Sequence, residues 1–77
     1  MVSLEEFVKN IEAEIEALEP GTLTADVNYR ELEFWSSMYA LIIIAYVDIE
    51  FSVTLTGNDL RECNTVKDLY ILIKSRV

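Results

Sequence analysis

Between residues 4 and 18 apolar side chains recur at three- and four-residue steps, at Leu4, Phe7, Val8, Ile11, Ile15 and Leu18, and glutamates fill most positions between them. A stripe with that period buries itself only as one face of an α-helix laid against other elements. Ser3 followed by Glu6 makes a capping-box pattern at its start, and Val2 is placed to pack on Phe7 as a hydrophobic staple. Pro20 and Gly21 are expected to stop it. The partners of this stripe have to come from the rest of a 77-residue chain, which is long enough for a single domain, residues 1–77, and one shared core.

From Gly21 to Ser36 the periodicity disappears, and Leu23, Val27, Tyr29 and Leu32 stand singly among Thr, Asn and Asp. We read a long ordered loop anchored by those apolar residues. A connection of that length in so small a domain is more often functional than idle. The segment from Ser37 to Phe51 has neither Gly nor Pro and is too long for an ordinary strand, despite the β-branched Ile42, Ile43 and Ile44. It reads as a helix with Ala40, Ile43, Ile44, Val47 and Phe51 turned inward and Ser36 or Ser37 as its N-cap. After a break at Ser52 to Gly57, Asn58 to Cys63 has room for one or two helical turns. Val66, Leu69, Tyr70 and Ile73 then mark a last helix opened by a second capping-box pattern, Thr65 with Asp68. The expected fold is all-α, a small antiparallel four-helix bundle with a long loop between helices 1 and 2 and a short third helix.

Fourteen acids against six bases give a formal charge of −8. Nucleic acid is therefore an unsuitable partner, since phosphate backbones need clustered Lys and Arg, whereas basic protein surfaces would be attracted. The longest strongly apolar stretch, Met38 to Val47, falls short of the roughly 20 residues of a membrane-spanning helix. The start of the chain, with Ser3, Glu5 and Glu6, does not read as a secretion or organelle signal. A single cysteine, Cys63, excludes an intramolecular disulfide, and together these features suggest a cytoplasmic protein. The chain has no His and no glycine-rich phosphate loop, so no enzyme activity is expected. Cys63 has no basic neighbour in sequence to activate it and reads as structural. Glu12 and Glu16, one turn apart, lack the His, Cys or calcium-loop companions of a metal site, so no metal is assigned.

The stretch Tyr29-Arg30-Glu31-Leu32, followed by Trp35-Ser36-Ser37-Met38, carries a resemblance to the acyl carrier proteins. That family has a long loop ending in an aromatic-Arg-acid-Leu motif, then an Asp-Ser-Leu triplet at the start of the second helix, in one subgroup with Trp just before it. Ser36-Ser37-Met38 aligns with the triplet, and Asp48, Glu50 and Phe51 match the acidic, Phe-containing end of the second helix. Val53 to Leu60 and Thr65 to Leu69 look like the third and fourth helices with their lead-ins, so the resemblance covers nearly the whole chain. It implies that Ser37 carries 4'-phosphopantetheine through a phosphodiester, donated by coenzyme A through a separate phosphopantetheinyl transferase. The arm's thiol would hold acyl groups as thioesters and present them to acyl-loading and acyl-processing enzymes of fatty acid, lipid or polyketide type.

Two departures from the family pattern bear on partners. Ser36 stands where the family has the Asp that helps the transferase engage, and Tyr39 and Ile42 replace acids on the second helix. A 100° step places Met38, Leu41, Ile42, Ala45, Tyr46 and Ile49 mainly on the outward face. Ser36, Met38, Tyr39, Leu41, Ile42, Tyr46 and Ile49 are thus the expected partner-binding residues, for docking by apolar contact or for a homodimer through this helix. The alternative reading is a carrier fold without a prosthetic group, acting as a helical interaction module.

Overall fold

The computed structural model describes residues 2–15, 21, 23–32 and 35–77. Among them lie α1 (Leu4–Glu14), α2 (Ser37–Phe51), α3 (Gly57–Glu62) and α4 (Val66–Arg76), with no extended strand and one 3-10 turn, Tyr29–Glu31. They form a small helical bundle in which α1 packs on α2 and α4, and α2 on α3.

α1 begins with one half of the capping box its sequence implies, the Ser3 hydroxyl accepting from the Glu6 amide. Its helical geometry ends at Glu14, because Ile15 is already extended although its side chain stays buried. Glu12 ties the loop to α1, its carboxylate accepting the amides of Gly21 and Leu23 at 3.1 and 2.9 Å. The predicted stop at Pro20 and the apolar position Leu18 lie outside the described residues, as do Glu16, Glu33 and Phe34.

The core is built from every element. Phe7, Val8 and Ile11 come from α1, Ile43 and Val47 from α2, Leu60 from α3, and Val66, Leu69 and Ile73 from α4. Leu23 and Tyr29 enter from the loop, Val53 and Leu55 from the connection after α2. The sequence marks that connection as a break between helices, but its apolar–polar alternation, Val53-Thr54-Leu55-Thr56, turns two side chains inward. Each such side chain contributes roughly 1.5–3 kcal/mol of hydrophobic stabilisation. Phe7 is the centre of an aromatic cluster, with ring centroids 5.5 Å from Tyr70, 6.1 Å from Phe51 and 6.3 Å from Tyr46.

Tyr46 belongs to that cluster, which corrects its expected place on the outward face: it is 6 % exposed and sits edge-on against Phe51. Apolar residues occur all around α2, so their spacing marks no single inner face, and the fit of the Tyr46 ring between Phe7 and Phe51 decides. Its hydroxyl has no hydrogen-bond partner among the described residues. Burial pushes the phenol pKa up, against a smaller opposing pull from the nearby Asn10 side chain, which lacks the geometry of a hydrogen bond to it. Removing an unpartnered buried hydroxyl relieves a desolvation cost, so Tyr46→Phe is expected to raise the unfolding free energy by about 1 kcal/mol in urea titrations. A loss of stability instead would mean that the hydroxyl is satisfied in solution.

The ends of α3 and α4 are tied together. Thr56 and Asp59 form a reciprocal capping box, and Asp59 also accepts two bonds from Arg76, at 2.8 and 3.0 Å. Those Arg76 bonds, with the Thr56 amide, hold the Asp59 carboxyl at a pKa of about 2.

Candidate functional site

The loop that leads to Ser37 is fixed by contacts with the α3–α4 junction. Asn28 caps the 3-10 turn by accepting the Arg30 amide and pairs with Thr65 in an isolated antiparallel bridge. Two residues further along α4, the Lys67 amide donates to the Ala25 carbonyl at 3.0 Å. Arg30 reaches the Asn64 side chain. Tyr29, 1 % exposed, lies with its hydroxyl in hydrogen-bond reach of the Leu60 and Cys63 carbonyls at the end of α3. Burial, helped by the neighbouring Cys63 thiol, pushes its pKa far above the ordinary phenol value, so it stays a donor.

From Tyr29 the packing runs on to the start of α2. Its ring stacks on Trp35, with centroids 5.1 Å apart and planes 13° from parallel, and Trp35 in turn lies 6.2 Å from Tyr39 at 30°. The Trp35 amide donates to the Leu32 carbonyl at 3.0 Å. Ser36 then takes the N-cap position and Ser37 is the first helical residue, both exposed. The Ser36 carbonyl accepts the amides of Tyr39 and Ala40, while its side chain makes no capping bond. No acid lies in the first turn of α2.

Below Ser37 an exposed row runs down α2. Met38 is 60 %, Leu41 64 % and Ile49 78 % exposed, and Ala45 lies between them. Of the residues expected to face partners, Ser36, Met38, Leu41 and Ile49 are exposed. Ile42 and Tyr39 are half-buried and pack against the core, and Tyr46 is inside. The row carries no base, and Asp48 and Glu50 are exposed near its lower end.

Cys63, half-buried, has its thiol pKa pushed up by burial and then by Asp68, Asp59 and Glu62, which suits a structural helix end and not a nucleophile. No group of acids or thiols among the described residues could hold a metal, and Glu12 is engaged with the loop amides. No helix of the described residues is long and apolar enough to cross a membrane. A hollow of about 270 Å³ lies between α1 and the loop, lined by Val8, Lys9, Glu12 and Leu23, and does not reach Ser37. Tyr29, expected from the sequence as one of the loop's apolar anchors, is one, and what sequence reasoning missed is its hydroxyl's reach to the α3–α4 junction. Its signal, a lone aromatic before an Arg-Glu-Leu run, carries no trace of the carbonyls it finds more than thirty residues later. No protein-family model and no curated protein matches the sequence.

Proposed function

We propose that the chain is an acyl carrier protein, a bundle of antiparallel helices that tethers acyl intermediates on 4'-phosphopantetheine at Ser37. It presents them in the cytoplasm to separate loading and processing enzymes and catalyses nothing itself. The observation that carries this reading is the exposed Ser37 hydroxyl at the first position of α2, at the end of a long loop pinned to the rest of the fold. The residues fit the group. First-turn amides of a helix lack intrahelical partners and favour an added anion, and no acid in this first turn opposes it. When bound, the group supplies a terminal thiol that holds acyl chains as thioesters. The chain's own part is to hold the serine oxygen outward and to offer a surface beside it.

That surface is the row Met38, Leu41, Ala45 and Ile49, which suits a partner with an apolar strip. The acids around it add attraction to flanking Lys and Arg. Leu41→Glu should leave the fold intact, because the side chain is mostly exposed, and raise the transferase KM for this carrier about tenfold by placing a charge in the contact. An unchanged KM would remove the row from the transferase interface. The exposed row also favours a second reading, a helical interaction module or homodimer without the prosthetic group. Intact mass separates the two: a carrier gains one phosphopantetheine from coenzyme A and a phosphopantetheinyl transferase, and Ser37→Ala does not.

A further inference from the structure

Three of the four helices begin alike. Ser3, Thr56 and Thr65 accept the amide of the residue three positions on, which is an acid each time: Glu6, Asp59 and Asp68. In α3 and α4 the acid completes a reciprocal box. The helix that carries Ser37 departs from this pattern. Its N-cap, Ser36, makes no side-chain capping bond, and the residue three positions on is Tyr39. What stands there instead is aromatic contact across the helix start, Trp35 before the cap against Tyr39 after it. Trp35 itself is held by its stack on Tyr29, which is buried and bonded to the end of α3.

We infer that Trp35 is the positioning residue for Ser37, fixing the first turn of α2 by an aromatic ladder, Tyr29–Trp35–Tyr39, in place of a side-chain cap. The inference rests on the carrier reading for its functional consequence. A cap made of ring contacts holds the turn without an acid at the third position, where a carboxylate would reach back to the N-cap amide, as Asp59 and Asp68 do in α3 and α4, and repel a phosphodiester on Ser37. It also anchors the serine's backbone to the α3–α4 junction. Group transfer forms a bond from the serine oxygen to the pantetheine-side phosphorus of coenzyme A and breaks that phosphorus's bond to the bridging pyrophosphate oxygen. It releases adenosine 3',5'-bisphosphate and passes the serine proton to a base of the transferase. It therefore needs the serine oxygen within about 3–3.5 Å of that phosphorus and in line with the breaking bond.

The test compares wild type, Trp35→Leu, Trp35→Phe and Tyr39→Leu by amide exchange and by transfer kinetics with coenzyme A and a phosphopantetheinyl transferase. Trp35→Leu should speed exchange of the Tyr39 and Ala40 amides, which bond the Ser36 carbonyl, about tenfold, with the Leu69 amide of α4 unchanged. Its kcat for transfer should fall about tenfold with the KM for coenzyme A unchanged, and Trp35→Phe, which keeps a ring, should restore both. Should Trp35→Leu not fold, Tyr39→Leu carries the same expectation, since it removes the upper contact and leaves the Trp35–Tyr29 stack. Wild-type exchange at Tyr39 and Ala40 in a folded variant, or an equal rise at Leu69, would overturn the inference. If wild-type protein accepts no phosphopantetheine, the carrier reading fails, and the exchange measurements alone decide whether the ladder positions the turn.

Discussion

Replacing Tyr29 with alanine is expected to bring the chain close to unfolding at 25 °C, with a loss of about 4 kcal/mol. The side chain is fully enclosed, and truncating a buried aromatic costs about 3–5 kcal/mol through lost transfer energy and the cavity left behind. Two effects push toward the upper part of that range. The ring's stacking partner, Trp35, loses its support, and the carbonyls of Leu60 and Cys63 lose a shared donor in a part-buried place. A domain of this size holds only roughly 4–12 kcal/mol in all. Tyr29→Phe separates the contributions, since it keeps the ring and should cost about 1.5 kcal/mol for the hydroxyl alone. Urea unfolding followed by circular dichroism reads both. If the alanine variant lost no more than the phenylalanine variant, the ring would not be the anchor of the loop.

Tyr29 also marks where sequence reading stopped. Its burial was legible, because an isolated aromatic in a long polar loop has to be tucked somewhere. Its hydroxyl partners were not, since hydrogen bonds to backbone carbonyls distant in the chain leave no mark on residue choice there. Capping was legible at Ser3 and Thr65 because the motif is local and the acid sits three positions on, whereas the same pattern at Thr56 with Asp59 was passed over inside a stretch taken as a break. The bounds of α2 were legible too, from Ser37 to Phe51, because a gap-free apolar run of that length has one regular solution. Which side of α2 faces in was only partly so. Ile43 and Val47 were placed correctly, but Tyr46 and the half-buried Ile42 were placed outside. With apolar residues on all sides, the inner face of that helix is chosen by tertiary fit and not by period. The 3-10 turn at Tyr29–Glu31 escaped for a related reason: three residues with an i to i+3 pattern have no periodicity to read.

The modification experiment has the largest expected effect, because it is all or none. Ser36 and Ser37 are adjacent and both exposed, so exposure does not choose between them. Their places in the helix do. Ser36 is the cap, with non-helical backbone and a carbonyl committed to the amides of Tyr39 and Ala40, whereas Ser37 is the first helical residue. The 100° step puts Ser37 on the side of α2 that carries Leu41 and Ala45, so an enzyme resting on the exposed row meets the Ser37 oxygen first. Wild type and Ser36→Ala are expected to gain one phosphopantetheine by intact mass, and Ser37→Ala none. Alanine suits a first helical position, and the Ser36 side chain makes no capping bond, so both variants should unfold within about 0.5 kcal/mol of wild type. A loss of modification then reports the missing oxygen and not a damaged fold. If Ser36→Ala alone blocked the gain, the attachment point would move by one residue, and the ladder above it would be positioning a cap instead of a nucleophile. If several transferases, the source cell's own among them, left every form unmodified, Ser37 would be an ordinary helix-start serine. The row from Met38 to Ile49 would then be the binding surface of a helical interaction module, the reading its exposure already supports without any prosthetic group.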